Sequence, residues 1–244
     1  MSGEWLAGLD GRLRLAAQMV PLGARTADVG CDHARLPIAL VRSGRCPLVI
    51  ASDLRQGPLK SARDNVVRAG LEEKIQLRQC DGLDGIAPGE VDCVVMAGMG
   101  GILITQIIAR ASWLKDPAVC LVLQPMSDAH LVRQALWESG FALEQEQAAT
   151  ANHRVYTVMR CRYTGRITEA TLAECYAGLL PLGGRQESLR LEREVRALNV
   201  QIDGVSRAGK EPRRLQELIG IRDELCEMLA RMPCASKPKE EIRK

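Results

Sequence analysis

A chain of 244 residues, 46% of them hydrophobic, has enough material for one full core and a smaller appendage. No apolar run approaches membrane-spanning length, and Met1–Asp10 lacks a basic stretch followed by an apolar one, so a cytoplasmic protein without a membrane segment is expected. A net charge of +3 permits nucleic-acid binding without requiring it, and nine scattered cysteines with no C-x-x-C read as reduced small hydrophobes, against a disulfide framework or a zinc site.

Leu6, Leu9, Leu13, Ala17 and Val20 recur at helical spacing and predict an amphipathic lead helix over residues 4–20, ended by Pro21. Strands and helices then alternate. The first strand, Arg25–Gly30, runs into Asp28-Val-Gly-Cys-Asp-His33 and a helix over Ala34–Arg42. A carboxylate closing an apolar strand, followed by Gly30, marks the nucleotide-binding corner of a doubly wound sheet. Glycine admits a ligand close to the backbone, and the next helix aims its N-terminal amides at it. The turn is not the dinucleotide fingerprint G-x-G-x-x-G, because Cys31, Asp32 and His33 follow Gly30. Acidic groups here repel a pyrophosphate but suit ribose hydroxyls, an ammonium and a sulfonium, which favours S-adenosylmethionine over NAD. His33 reads either as a positioning or hydrogen-bonding group or as a helix cap. His130 and His153 have no partners at metal-ligand spacing, so no metal is expected.

The second strand, Pro47–Asp53, precedes a helix over Pro58–Ala69. Asp53 closes it 25 residues beyond Asp28, where a carboxylate can accept hydrogen bonds from both ribose hydroxyls; the plainer reading is a turn or N-cap Asp. After the third strand, Ile75–Cys80, Asp81-Gly82 is either an acceptor for the exocyclic amine of adenine or an ordinary turn. The fourth strand, Val91–Ala97, ends in Ala97-Gly-Met-Gly-Gly101, a floor without side chains at the topological switch point, and a helix follows over Gly101–Ala111. The fifth strand, Ala118–Gln124, ends in Gln124-Pro125-Met126 before a helix over Ser127–Ser139. Phe141–Ala149 and Arg154–Arg162 then form two successive strands, which pair as an antiparallel hairpin. The expected fold class is therefore α/β: a Rossmann-like, seven-stranded methyltransferase sheet of five parallel strands and a closing antiparallel hairpin, over residues 1–163.

Residues 164–244 change character. Leu191, Val195, Leu198, Ile202 and Val205 form one helical stripe, and Leu218, Ile221, Leu225, Met228 and Met232 form another. Ala208-Gly-Lys-Glu-Pro212 between them predicts a C-terminal antiparallel helical hairpin with a coiled-coil-like seam, followed by a charged, frayed tail over Ser236–Lys244. Arg185, Arg190, Arg193, Arg196, Arg213 and Arg214 are expected on its exposed faces. They would serve either as phosphate contacts or, with Glu187, Glu192, Glu194 and Glu217, as intrahelical pairs. The sequence leaves a monomer and a coiled-coil-mediated dimer equally open.

Several strings occur together and in order: Asp28-Val-Gly-Cys-Asp-His-Ala-Arg-Leu-Pro37, Gly57-Pro58 with Ala62 and Asn65-Val66, Asp81-Gly-Leu83, Ala97-Gly-Met-Gly-Gly101 and Leu123-Gln-Pro125. Over about residues 9–160 they resemble the bacterial tRNA adenine-N1-methyltransferases that act at position 22, whose C-terminal coiled coil the helical hairpin also resembles. The resemblance implies S-adenosylmethionine as cofactor and tRNA as partner. It implies a cofactor pocket of Asp28, Gly30, Cys31, Asp53, Leu54, Asp81, Gly82, Ala97, Gly98, Met99 and Gly100, with Asp32, His33, Gln124 and Pro125 at the methyl-transfer site. Three positions depart from the family pattern: Met126 replaces an Asn, Arg35 an aromatic residue, and Asn152-His153-Arg154 stands where an acid is usual. The expected reaction is in-line attack of adenine N1 on the sulfonium methyl, with the face of Arg35 or Tyr156 as a stacking surface, although Tyr156 reads better as a core residue of the closing hairpin. The rivals are a methyltransferase for a small molecule or protein, and a cofactor-binding protein that has lost catalysis.

Overall fold

Continuous Val, Ile and Leu runs become strands that are buried on both faces, because helices cover the sheet on either side. The computed structural model describes residues 6–179, 185–209 and 211–232. Five strands run parallel: β1 (Thr26–Val29), β2 (Val49–Asp53), β3 (Ile75–Gln79), β4 (Cys93–Met99) and β5 (Cys120–Pro125). β6 (Phe141–Ala151) and β7 (Arg154–Tyr163) close the sheet as an antiparallel hairpin, in the order β3-β2-β1-β4-β5-β7-β6. Asn152 and His153, both at positive φ, form the two-residue turn between them, the geometry that matches strand twist in tight hairpins. β1 pairs with β2 on one side and β4 on the other, so the strand order reverses there and opens a crevice at the carboxyl ends.

Alternate strand residues feed two cores. Val49, Cys93, Val95 and Val122 pack with helices α1 (Gly11–Met19), α2 (Arg35–Arg42) and α3 (Gln56–Ala69). Ile50, Val94, Met96 and Leu121 pack on the other face with α4 (Gly101–Arg110) and α5 (Ala129–Glu138). The lead helix is shorter than its apolar spacing predicts. Leu6 and Leu9 are buried but precede it, because Asp10 caps the helix by accepting the Leu13 N–H at 3.0 Å. Its first residue must be glycine, since a Cβ at Gly11 would collide with the Thr150 carbonyl of β6. β4 runs two residues beyond the predicted Ala97, through a bulge between Ala97 and Met99.

After β7 comes a helix that the sequence reading lacks, α6 (Leu172–Ala177), started by a Thr171/Glu174 capping box. α7 (Arg185–Ala208) and α8 (Pro212–Arg231) then form the expected hairpin, with Leu191, Leu198, Ile202, Leu218, Ile221 and Leu225 in its seam. The tail expected to fray, over Ser236–Lys244, lies outside the described residues. Among the described residues no helix is long and apolar enough to cross a membrane.

A buried ionic node ties this arm to the sheet. Glu146 of β6 accepts from Arg133 of α5 at 2.6 Å, from Thr157 of β7 at 2.7 Å and from the Leu179 N–H at 2.7 Å. Arg133 also donates to the Cys175 carbonyl at 2.7 Å, and Arg190 of α7 donates to the Tyr176 and Ala177 carbonyls. Arg190 is thus only 2% exposed, which corrects its expected place on the arm's surface. Burial, then repulsion from Arg133, lowers its pKa to about 9. Arg193 is drawn inward as well, donating to the Val155 carbonyl with its guanidinium over the Tyr156 ring.

A candidate ligand cleft at the switch point of the sheet

The ends of β1 to β4 and the N-terminal half of α1 enclose a cleft of about 580 Å³. Two glycines let the backbone itself form its walls. Gly30 has φ 75°, and an added Cβ would stand 3.0 Å from the Met99 methyl; Gly98 has φ 84° and lies under Arg12. The β1–α2 loop is anchored from both sides. The Gly30 and Cys31 N–H groups donate to the Ser52 carbonyl at 2.8 and 2.9 Å, and Asn65 of α3 donates to the His33 carbonyl at 2.9 Å. Asp32 and Ala34 hold left-handed backbone within that loop, a strained conformation that clusters at ligand sites.

Asp28 and Asp53 end adjacent strands and are both buried against the cleft. Burial, then the nearby Asp53 charge, raises the Asp28 pKa to about 7. Asp53 accepts the Arg55 N–H through Oδ1 at 2.9 Å, so the plainer turn-forming role is real and uses one oxygen. Asp81 is half-exposed and held by Arg110 of α4 at 3.0 Å, an ion pair that lowers the Asp81 pKa. Burial, then Asp28, raises the Cys31 thiol, which stays protonated and unreactive. Leu54 is 61% exposed at the rim, and Leu103 of α4 lies opposite as a second apolar lip.

The cleft brings together Asp28, Gly30, Cys31, Asp32, His33, Asp53, Leu54, Asp81, Gly82, Ala97, Gly98 and Met99. It does not include Gly100, Gln124 or Pro125. Gln124 is fully buried behind the β4 bulge, where its Oε1 accepts from Arg12 at 2.8 Å and from the Gly98 N–H at 3.1 Å. Its amide nitrogen donates to the Pro125 carbonyl at 2.9 Å, so it holds the floor in shape from behind. Pro125 is buried in β5, paired with Met99. His33 does not cap α2, whose N-cap is Ala34 with no side-chain hydrogen bond, and its ring is 3.6 Å from Asp32. Tyr156, at 6% exposure under Arg193, is a core residue and offers no stacking face.

Arg12 is the charged α1 residue of the cleft that sequence reading missed. It comes from α1, oriented by Asp10 at 3.0 Å, and the signal was the Asp10-Gly11-Arg12 string inside an apparently ordinary amphipathic helix. The glycine string also divides in function. A Cβ at Gly101 would lie 2.6 Å from the Asp128 carbonyl oxygen and 2.7 Å from that of Ser127, whereas one at Gly100 would meet only the Ser127 hydroxyl at 3.5 Å. Gly101→Ala is therefore expected to cost about 1–3 kcal/mol through overpacking, and Gly100→Ala almost nothing. Equal melting temperatures for the two variants would contradict this division.

The methyltransferase-domain family model matches residues 9–159. The tRNA (adenine(22)-N(1))-methyltransferase of Bacillus subtilis (strain 168) is 36% identical over 151 residues, covering 62% of this chain and 63% of that protein. The matched region is thus under two thirds of that relative's length. The crystal structure of the B. subtilis m1A22 tRNA methyltransferase superposes with a TM-score of 0.73 at 28% identity, covering 91% of this chain and 97% of its own. A Streptococcus pneumoniae protein solved in complex with S-adenosyl-L-methionine gives 0.76 at 28% identity, covering 89% and 98%.

Proposed function

Since the chain belongs to the methyltransferase-domain family, we propose that it carries the methyl group of S-adenosylmethionine to N1 of an adenine in tRNA, the adenine at position 22. The observation that carries this reading is the acid set of Asp28, Asp53 and Asp81 on consecutive strand ends around a backbone-floored cleft. The names of the B. subtilis relatives and the ligand of the S. pneumoniae protein support it. In this reading residues 1–163 form the methyl-transfer unit, residues 164–244 an appended arm, and the reaction takes place in the cytoplasm.

The cleft's chemistry fits the cofactor. Asp53 has its second oxygen for ribose hydroxyls, Asp81 is an acceptor for an adenine amine, and buried Asp28 suits a cationic group. When bound, S-adenosylmethionine supplies an electrophilic methyl on a positively charged sulfur. Adenine N1 attacks with a lone pair and has no proton to lose, so the half-buried His33 is not required as a base. The work of the chain is orientation: Gln124 and Arg12 hold Gly98 open beside the reacting groups, and the lips Leu54 and Leu103 keep the rim apolar. N1 lies on the Watson–Crick edge, so a paired target must swing out of its helix before transfer. With Tyr156 buried, Arg35 is one planar group for a displaced base, beside His33 and Arg55 of the same lining.

The test is transfer of labelled methyl to unmodified tRNA and, separately, to a protein extract. Label in tRNA alone, recovered as 1-methyladenosine from position 22, is expected; label in protein, or cofactor binding without transfer, overturns the reading. Asp53→Ala, checked for folding by circular dichroism, is expected to lose cofactor affinity by about 1.5–3 kcal/mol per charged hydrogen bond removed.

A further inference from the structure

A second concavity, of about 550 Å³, adjoins the cleft between α2, α3 and the segment before α1. His33 and Arg35 line both, so the groove leads directly out of the cleft mouth. Its other charged walls are Arg42 of α2 and Arg68 of α3, and no carboxylate among the described residues lines it. Arg35, Arg42 and Arg68 are all exposed, and none of the three makes an ion pair or hydrogen bond among the described residues. On the same helix, Lys60 and Arg63 extend the positive surface into the next concavity. Acids next in sequence to its lining are Asp10, which pairs with Arg12, Asp32, which faces His33, and the exposed Asp64 of α3. The groove wall is held in place by the Asn65 to His33 hydrogen bond, which joins α3 to the cleft loop.

The arm is only partly like this surface. Arg196 pairs with Glu192, Arg214 with Glu211, Arg222 with Asp223 and Arg231 with Glu227, and Arg190 and Arg193 are turned inward. Among the described residues this leaves Arg185, Arg207 and Arg213 as its exposed arginines outside these pairs, none of them continuous with the cleft mouth. Cations already satisfied by carboxylates release fewer counterions when a polyanion approaches, so unpaired arginines contribute more to phosphate binding.

Resting on the proposed methyl-transfer reading, we infer that the α2–α3 groove is the track for the sugar-phosphate backbone of the tRNA segment entering the cleft, with Arg42 and Arg68 as phosphate contacts and Arg35 at the threshold. A nucleotide swung into the cleft pulls its neighbouring phosphates to the cleft mouth, and this groove is the cationic surface continuous with that mouth. Arg35 replaces the aromatic residue usual in the resembled family, and so lengthens the cationic track by one position.

The test compares the wild-type chain with the Arg42→Gln/Arg68→Gln variant, using fluorescence anisotropy on an unmodified tRNA transcript across a salt series. Calorimetry with S-adenosylmethionine and methyl-transfer kinetics run in parallel. The variant is expected to keep cofactor affinity and kcat, to raise KM for tRNA, and to lower the slope of log affinity against log salt by about 0.7–0.9 per arginine removed. Arg214→Gln, on the arm, is expected to leave that slope unchanged. A variant slope and KM equal to wild type, in a wild-type enzyme that does methylate tRNA, overturns the groove and leaves the methyl-transfer reading standing. A wild-type chain that binds cofactor but neither binds nor methylates tRNA overturns both. Weakened binding of poly-L-glutamate with an unchanged tRNA slope also overturns the track and assigns the groove to an acidic peptide.

Discussion

Asp28→Asn is expected to make the ligand-free protein more stable above neutral pH and to abolish tight cofactor binding. Folding raises the Asp28 pKa from 3.8 to about 7, through burial first and the Asp53 charge second. Between those values the folded state holds a proton that the unfolded chain has lost, so stability falls as pH rises through the window. The full penalty is present above about pH 7, on the order of 4 kcal/mol from the shift alone. Asparagine carries no charge and should flatten that part of the profile. Urea titrations at pH 5 and pH 8 check it: the wild type should be the less stable at pH 8 by a margin that the variant lacks. Parallel profiles would mean that Asp28 is not the group responsible. The same linkage predicts that a cationic ligand expels the Asp28 proton, so affinity should climb from pH 6 to pH 8 with proton release visible by calorimetry in different buffers.

Glu146→Ala is expected to cost about 3–5 kcal/mol, because it leaves the guanidinium groups of Arg133 and Arg190 buried without their counter-charge. Burial opposes the Glu146 charge most strongly, but Arg133, Arg190 and Thr157 together outweigh it and hold the carboxyl below its usual range. Denaturant midpoints should drop sharply, and amide exchange should quicken in α6 and the first turns of α7 before it does in β1 or β4. The combined change Arg133→Met, Glu146→Leu and Arg190→Met tests the cause, since apolar replacement of all three charged partners is expected to recover most of the loss. A triple variant as unstable as Glu146→Ala would instead assign the cost to the lost Thr157 and Leu179 hydrogen bonds. The node also makes a cut at Thr164 a poor way to isolate the cleft domain, because it removes the Cys175 carbonyl and the Leu179 N–H from Arg133 of α5 and Glu146 of β6.

The central parallel strands β1, β2, β4 and β5 were legible because a strand covered on both faces reads as a short β-branched and aliphatic run between turns, while the edge strand β3 is half-exposed and mixes Gln and Arg into its run. Asp28 and Asp53 were legible as cleft-lining residues for a related reason: a carboxylate that closes such a run stands at the carboxyl edge of the sheet, where the crevice opens. The misses have local causes. Gly98 in Ala97-Gly98-Met99 reads as the end of a strand, yet a bulge carries β4 through it. Gln124 and Pro125 follow an apolar run just as Asp28 does, but β5 lies one strand beyond the switch point, and the bulge of β4 screens both from the cleft. Arg190 looked like one more charge in a polar heptad, because nothing in its own helix shows that exposed carbonyls at the end of α6 face it. Those carbonyls are free to accept because α6 ends at Gly178, a position at φ 70° with no room for a Cβ beside the Glu146 carboxylate. Thr171-x-x-Glu174 was a readable start signal for that helix and was passed over.

The fit of Gly11 against the Thr150 carbonyl has a bearing on synthesis. α1 leaves the ribosome before any strand of the sheet, yet much of its seat is made by β6 and β7, the last strands of that sheet, and from α1 Arg12 reaches Gln124 beside the cleft. A nascent chain that has completed β1 to β5 already carries Asp28, Asp53 and Asp81, but it has no hairpin on which to dock its own beginning. Ligand competence therefore arrives late in translation and abruptly, once Tyr163 is out and the two ends of the domain meet.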